Sequence, residues 1–283
     1  MKSILVTGST GFIGRHVIKY LSNNEYKIIA LYRKKNKDFL HHKNIDYVKC
    51  DISNIKKNFY EDLGRPKKLI HLAWDNLPNY NSDVHLNSEL KIQYDFLKYF
   101  LDNGLETLFV SGTCFEYGFN SGCLREDIHL SPNNSYAKAK VELYKKISDL
   151  KSNKNFNLVW GRLFYMYGNG QNLKSLWSQI NQSVLKNEKE FNMSNGDQLR
   201  DYMDVIDVSK IIANLVTNNV DAGAINICSG KPISIKDLVQ SWIEKNQWSI
   251  KMNLGFYPYS PYESMEFWGS IEKLSQYKKL LTK

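Results

Sequence analysis

Val6-Thr-Gly8-Ser-Thr-Gly11-Phe-Ile-Gly14-Arg-His-Val17 joins a short apolar run, Ser3 to Thr7, to an amphipathic one, Phe12 to Leu21. Such a junction reads as a strand turning into a helix. In that setting each glycine has a physical task. Gly8 permits the tight turn, Gly11 lets the backbone approach a pyrophosphate, and Gly14 lets helix and strand pack closely, while the helix N-terminus attracts the phosphates. A glycine triplet alone is weak evidence; the strand before it and the helix after it make this one a dinucleotide loop.

The same texture continues along the chain. Short β-branched runs at Lys27–Tyr32, Asp46–Lys49, Leu69–Leu72, Thr107–Val110 and Asn157–Leu163 alternate with amphipathic runs at Leu86–Leu101 and Tyr136–Leu150. The alternation predicts an α/β fold, a doubly wound parallel sheet of the Rossmann type. After Gly168 the pattern loosens, with turn signals at Gly168-Asn-Gly170 and Ser194-Asn-Gly-Asp197 and an aromatic-rich stretch from Tyr257 to Tyr262. A smaller C-terminal substrate-binding domain fits that texture. The expected division places 1–165 in the dinucleotide-binding domain, with 200–228 returning to it, and 166–199 and 229–283 in the cap.

Composition removes several classes. The 283 residues are 42% hydrophobic, with no apolar run near the roughly 18 residues of a membrane span. Met1-Lys-Ser-Ile-Leu-Val-Thr-Gly8 turns to glycine too early for a signal peptide, so a cytoplasmic location and no membrane partner are expected. The four cysteines and six histidines lack ligand or disulfide spacing, so no metal site is expected. A net charge of +9 is spread along the chain among asparagines rather than gathered in a block. That distribution favours an anionic small molecule such as a nucleotide over nucleic acid.

The end of the second strand reads Ile28-Ile-Ala-Leu-Tyr-Arg33-Lys-Lys-Asn36, with no carboxylate to accept from a ribose 2'-hydroxyl and with Arg33 placed to clamp a 2'-phosphate. NADP(H) is the cofactor expected; the alternative is that Arg33, Lys34 and Lys35 form a solvated loop. Further on, Ser135-Tyr-Ala-Lys-Ala-Lys140 puts Tyr136 and Lys140 on one helix face. An ammonium beside a phenol would lower its pKa from about 10 toward the range of an acid/base catalyst. Alone, this spacing also suits a lysine-rich surface helix.

It does not stand alone. The Gly-x-x-Gly-x-x-Gly spacing, His71-Leu-Ala73-Trp74, Asn87, Phe109-Val-Ser-Gly-Thr-Cys-Phe-Glu-Tyr-Gly118, Gly161-Arg162-Leu-Phe-Tyr-Met-Tyr-Gly168 and Gly196-Asp-Gln-Leu-Arg200-Asp-Tyr-Met-Asp-Val205 occur in order. In these motifs the chain resembles the extended short-chain dehydrogenase/reductase superfamily, in its nucleotide-sugar epimerase, dehydratase and reductase branch. The resemblance implies a catalytic Tyr136, with Lys140 lowering its pKa and holding the nicotinamide ribose, and Thr113 orienting the reacting oxygen. It implies cofactor contacts from Gly8, Thr10, Gly11, Phe12, Ile13, Gly14 and Arg33, from Asp51 and Ile52 at the adenine, and from Leu72, Ala73, Trp74, Ser111, Tyr136, Lys140 and Leu163. For a nucleotide-diphosphate sugar it implies Thr113, Cys114, Tyr136, Tyr165 and Arg200, with Arg200 on the diphosphate; a homodimer is the family's common state.

Two positions depart from the family pattern: Tyr165 replaces an asparagine and Asp204 a histidine. The family's 4,6-dehydratases carry Thr-Asp-Glu before their Tyr-Gly, where this chain has Thr113-Cys114-Phe115, so the additional acid and base are missing. Glu116, one place on, faces the opposite side or supports the loop. GDP-fucose synthase places its cysteine two residues after the hydroxyl, whereas Cys114 follows directly and reads as a packed small residue. The expected activity is therefore reduction of the C4 keto group of a nucleotide-linked 4-keto-6-deoxyhexose in deoxysugar biosynthesis. A 4-epimerase is the alternative within the family, and an NADP(H)-binding sensor without turnover the alternative outside it. Trp74, Trp177, Phe256, Tyr257 and Trp268 are candidates for the pocket wall.

Overall fold

The computed structural model describes residues 2–34, 39–259 and 264–281. Lys35 and Asn36 of the expected basic loop, and Ser260 to Tyr262 of the aromatic stretch, lie outside the described residues. The central sheet contains β1 (Ser3–Thr7), β2 (Lys27–Tyr32), β3 (Ile45–Lys49), β4 (Lys68–His71), β5 (Thr107–Thr113), β6 (Asn157–Leu163) and β7 (Gly223–Ile227). These seven run parallel in the order β7-β6-β5-β4-β1-β2-β3. The order reverses between β1 and β4, and an open parallel sheet forms its crevice at the carboxyl ends beside such a reversal.

Helices cover both faces, which is why β1 is buried almost throughout. On one side α1 (Phe12–Ser22) and a later helix, Val205–Thr217, place Val17, Ile18, Leu21, Ile212 and Val216 over Ile4 and Val6. On the other, α2 (Leu90–Asp102) and α3 (Ser135–Asp149) place Phe96, Phe100, Leu143 and Ile147 over Leu5, Leu69 and Leu108. A π-helical turn, His85–Glu89, precedes α2 and turns His85 and Glu89 inward.

A separate apolar cluster gathers Ile180, Phe191, Leu238, Val239 and Trp242 around helices Leu176–Leu185 and Ile235–Lys245. Leu199–Asp204 connects it to the main body, pairing parallel with Tyr165–Tyr167 and antiparallel with Pro232–Ser234. Leu274, Tyr277 and Leu280 recur at helical spacing and join the apolar cluster around α1 and Val205–Thr217. Among the described residues no helix is long and apolar enough to cross a membrane.

The glycine loop is held by steric necessity. Gly8 has φ +63°, and a Cβ there would lie 2.8 Å from the Leu72 backbone. At Gly14 a Cβ would lie 2.1 Å from the Gly8 carbonyl oxygen, so α1 is seated directly on the turn that precedes it. Gly14→Ala must therefore push the helix off the loop. It should lower stability by about 1–3 kcal/mol in urea titrations and weaken dinucleotide binding, read by calorimetry, by roughly tenfold or more.

Candidate active site

Two clefts lie at the carboxyl ends of the strands. One, of about 390 Å³, is lined by Thr7, Gly8, Thr10, Gly11, Arg33, Asp51, Ile52, Leu72, Ala73 and Trp74. The other, of about 510 Å³, is lined by Phe12, Ile13, Thr113, Cys114, Tyr136, Leu163 and Tyr165. The first fits a dinucleotide on structural grounds: its floor is the turn that no side chain could enter at Gly8 or Gly14, and it leads to the N-terminus of α1.

Tyr136 and Lys140 share the inner face of α3, which Asn134 caps by accepting from the Ala137 N–H at 2.8 Å. The Lys140 ammonium is completely buried. It donates to the Ser111 carbonyl oxygen at 2.7 Å and stands 3.9 Å from the centre of the Trp74 ring and 5.7 Å from that of Tyr136. Ser111 thus serves through its backbone. Burial holds Lys140 down to about 7, against the pull of Glu116 and Glu89. The Tyr136 ring is packed by Trp74, His85 and Tyr80 at centroid distances of 5.5, 5.5 and 5.6 Å. Burial pushes its phenol upward, with Tyr80, Glu116 and Cys114 adding to the shift. Desolvation of the phenolate outweighs the lowering expected from Lys140, whose ammonium is aimed at Ser111 and Trp74.

Thr113 ends β5 and caps the next turn, accepting at Oγ1 from the Phe115 N–H at 3.2 Å. A hydroxyl that accepts through one lone pair keeps its hydrogen for another oxygen. Beneath the turn lies Glu116, fully buried. Its Oε1 accepts from the Thr113 N–H at 2.9 Å and from Trp160 Nε1 at 3.0 Å, and its Oε2 from Arg162 Nε at 2.8 Å. Arg162 continues to the Tyr117 hydroxyl at 3.0 Å, which donates to Asn226 Oδ1 at 2.6 Å. The Cys114 thiol is pushed up to about 12 by burial, so it stays protonated as a wall residue.

A second buried network underlies the dinucleotide cleft. Thr7 Oγ1 accepts from the Leu72 and Ala73 N–H groups at 3.1 and 3.2 Å, leaving its hydrogen for His71 Nδ1 at 2.9 Å. His71 Nε2 then donates to Gln93 Oε1, and Gln93 Nε2 donates to Glu89 Oε1 at 2.6 Å. Glu89 also accepts from the Asp75 N–H at 3.0 Å. Burial keeps His71 neutral, with its pKa down to about 3.

Several expected residues sit elsewhere. Arg200 is 3% exposed, donates to the carbonyls of Leu199 and Met265 at 2.9 and 3.2 Å, and lies 4.6 Å over the Phe267 ring. It braces the wall, whereas Lys174 and Gln171 line the cleft. Asn87 faces outward, its inward role taken by His85 and Glu89. Tyr165 does line the cleft, stacked on Tyr202 at 5.2 Å. Of the aromatic candidates, Trp74 lines the dinucleotide cleft; Trp177 packs against Trp242 at 4.9 Å, and Phe256 and Tyr257 are exposed. Arg33 is paired with Asp75, a carboxylate from the loop after β4 that sequence reading did not connect with it.

Removing Glu116 strands a buried guanidinium. Glu116→Ala should cost about 3–5 kcal/mol in urea titrations, with part of the loss recovered in Glu116→Ala/Arg162→Met. Lys140 gives a pH signature. Its folded pKa is depressed from 10.5 to about 7, so the unfolded chain binds more protons between those values. Its destabilising contribution is complete below about pH 7 and fades as pH rises toward 10.5. Subtracting the urea stability of Lys140→Met from that of the wild type should leave a difference rising with pH across that window.

Known proteins place this architecture. A dTDP-6-deoxy-L-talose 4-dehydrogenase (NAD(+)) from Aggregatibacter actinomycetemcomitans is 30% identical over 270 residues, 95% of this chain and 99% of that protein. A GDP-6-deoxy-D-talose 4-dehydrogenase from the same organism is 26% identical, covering 88% of this chain and 83% of its own. In fold, the chain superposes on a UDP-N-acetylglucosamine 4-epimerase from Methanobrevibacter ruminantium M1 with TM-score 0.85 at 19% identity, over 99% of this chain and 96% of that one. The model of the NAD-dependent epimerase/dehydratase family matches residues 4–228. The motif resemblance is borne out: the chain belongs to the NAD-dependent epimerase/dehydratase family, within the nucleotide-sugar branch of the extended short-chain dehydrogenases/reductases.

Proposed function

We propose that this protein exchanges hydride at C4 of a nucleotide-linked 6-deoxyhexose, reducing a 4-keto group to an alcohol and, in reverse, oxidising the alcohol. The observation that carries the proposal is a buried phenol, Tyr136, on the wall of a cleft that it shares with Thr113. A nicotinamide dinucleotide, held by the glycine loop in the smaller cleft, would supply the hydride for the carbonyl carbon. Tyr136 gives its proton to the carbonyl oxygen, Thr113 donates a hydrogen bond to the same oxygen, and the phenolate left behind regains a proton from solvent. Lys140, anchored on Ser111 behind the phenol, limits the cost of that transient negative charge.

Neighbouring residues support C4 reduction over the family's other outcomes. Elimination across C5 and C6 needs a further acid and base, and Cys114 and Phe115 offer a thiol held protonated and a phenyl ring. Epimerisation needs the sugar to present both faces to the cofactor, and Tyr165, stacked on Tyr202 and 5.9 Å from Phe267, narrows the cleft where it would turn. Both talose-related relatives are 4-dehydrogenases, and 4-dehydrogenation is the reverse of the same exchange. For the cofactor, NADP(H) was expected from an Arg33 with no acid nearby; its pairing with Asp75 supports NAD(H) instead.

Absorbance of the reduced cofactor, followed with a panel of 4-keto-6-deoxy sugar nucleotides made in situ by a dehydratase, tests the reading. One cofactor consumed per alcohol formed is expected, and Tyr136→Phe should lower kcat by roughly 10²–10⁴ while dinucleotide affinity holds. Isomerised sugar without net consumption, or a Tyr136→Phe enzyme turning over at the wild-type rate, would refute it.

A further inference from the structure

We infer that Asp75 selects NAD(H) over NADP(H), by holding Arg33 away from a 2'-phosphate and itself accepting from the 2'-hydroxyl; the inference rests on reading the smaller cleft as the dinucleotide site. Arg33 Nη1 is ion-paired with Asp75 Oδ2, and the two side chains are 54% and 51% exposed. Both line the cleft that holds the glycine loop and Asp51. The pair therefore faces the space where the adenosine ribose must lie if the pyrophosphate meets Gly11.

The backbone that carries this carboxylate is held in place from below. The Asp75 N–H is bonded to Glu89, which is bonded through Gln93 and His71 to Thr7, the residue before Gly8. Thr7 also receives the N–H groups of Leu72 and Ala73, so the loop carrying Asp75 and the loop that cradles phosphates share one anchor. The backbone of Asp75 is thus anchored at the cleft mouth, where its half-exposed carboxylate meets the longer side chain of Arg33.

The chemistry discriminates sharply. A 2'-phosphate brings close to two negative charges; here it would meet Asp75 and Asp51, with Arg33 already neutralised. A 2'-hydroxyl instead donates to a carboxylate, the interaction that an acid at the end of β2 gives in NAD-binding folds. In this chain that position is Arg33, and the acid arrives from the loop after β4.

Fluorescence titration of NADH and NADPH against the full chain tests the inference without any sugar substrate, alongside kcat/KM for each cofactor. The wild type should bind NADH more tightly. Asp75→Asn should raise the NADPH-to-NADH affinity ratio by roughly tenfold, and Asp75→Asn/Arg33→Ala should lose that gain, because the freed guanidinium is its source. A wild type that prefers NADPH, a ratio unmoved in Asp75→Asn, or a gain that survives loss of Arg33 would overturn the inference. Failure of both dinucleotides to bind the wild type would refute the reading of the cleft itself, and binding without turnover would refute only the proposed reaction.

Discussion

One buried cation organises this molecule. The Lys140 ammonium is shut off from water, and an isolated ammonium in that setting would be costly. Its cost is reduced, though not cancelled, by the Ser111 carbonyl, by the face of Trp74 at 3.9 Å, and by the fields of Glu116 and Glu89. These partners belong to β5, the loop after β4, the turn after β5 and the π-turn before α2. The charge can be buried only if those elements come together around α3, and Tyr136 sits one helical turn away from it.

The carboxylates on either side of that cation are second-layer groups with different tasks. Glu116 takes the Thr113 N–H, Trp160 and Arg162, and so sets the turn that shapes the larger cleft. Glu89 takes Gln93 and the Asp75 N–H, and so sets the rim of the smaller one. A buried polar network whose members are all bonded is rigid, since any displaced member would be left unpaired in a medium of low dielectric. Both clefts therefore owe part of their shape to buried acids, Glu116 beneath the larger and Glu89 in the wall of the smaller, while the acidity of Tyr136 is governed by burial.

Much of this was legible in the sequence. Ser3–Thr7, Lys27–Tyr32 and Asn157–Leu163 are strands with the bounds that their apolar runs indicate, because strands buried on both faces read as continuous apolar segments. The glycine loop and the Tyr136–Lys140 pair were legible because both depend on contacts within a few residues. What escaped depends on contacts across the fold. Asp75 meets Arg33 over 42 residues and Glu116 meets Arg162 over 46. Nor does the spacing from His85 to Glu89 announce a π-turn, which redirects side chains by one residue without changing the apolar pattern. The expected acidification of Tyr136 used the i,i+4 spacing correctly and omitted desolvation, the larger effect.

The central claim is that hydride reaches C4 of a keto-sugar as a protonated Tyr136 supplies the oxygen's proton, with no second acid or base at work on the ring. Reduction with cofactor deuterated at the transferring position, and in a parallel run with unlabelled cofactor in D₂O, followed by mass and NMR analysis of the sugar, tests this most directly. The account predicts a single deuterium at C4 in the first run and no carbon-bound label at C3, C4 or C5 in the second. Solvent label at C3 or C5, or an unlabelled C4 in the first run, would contradict it.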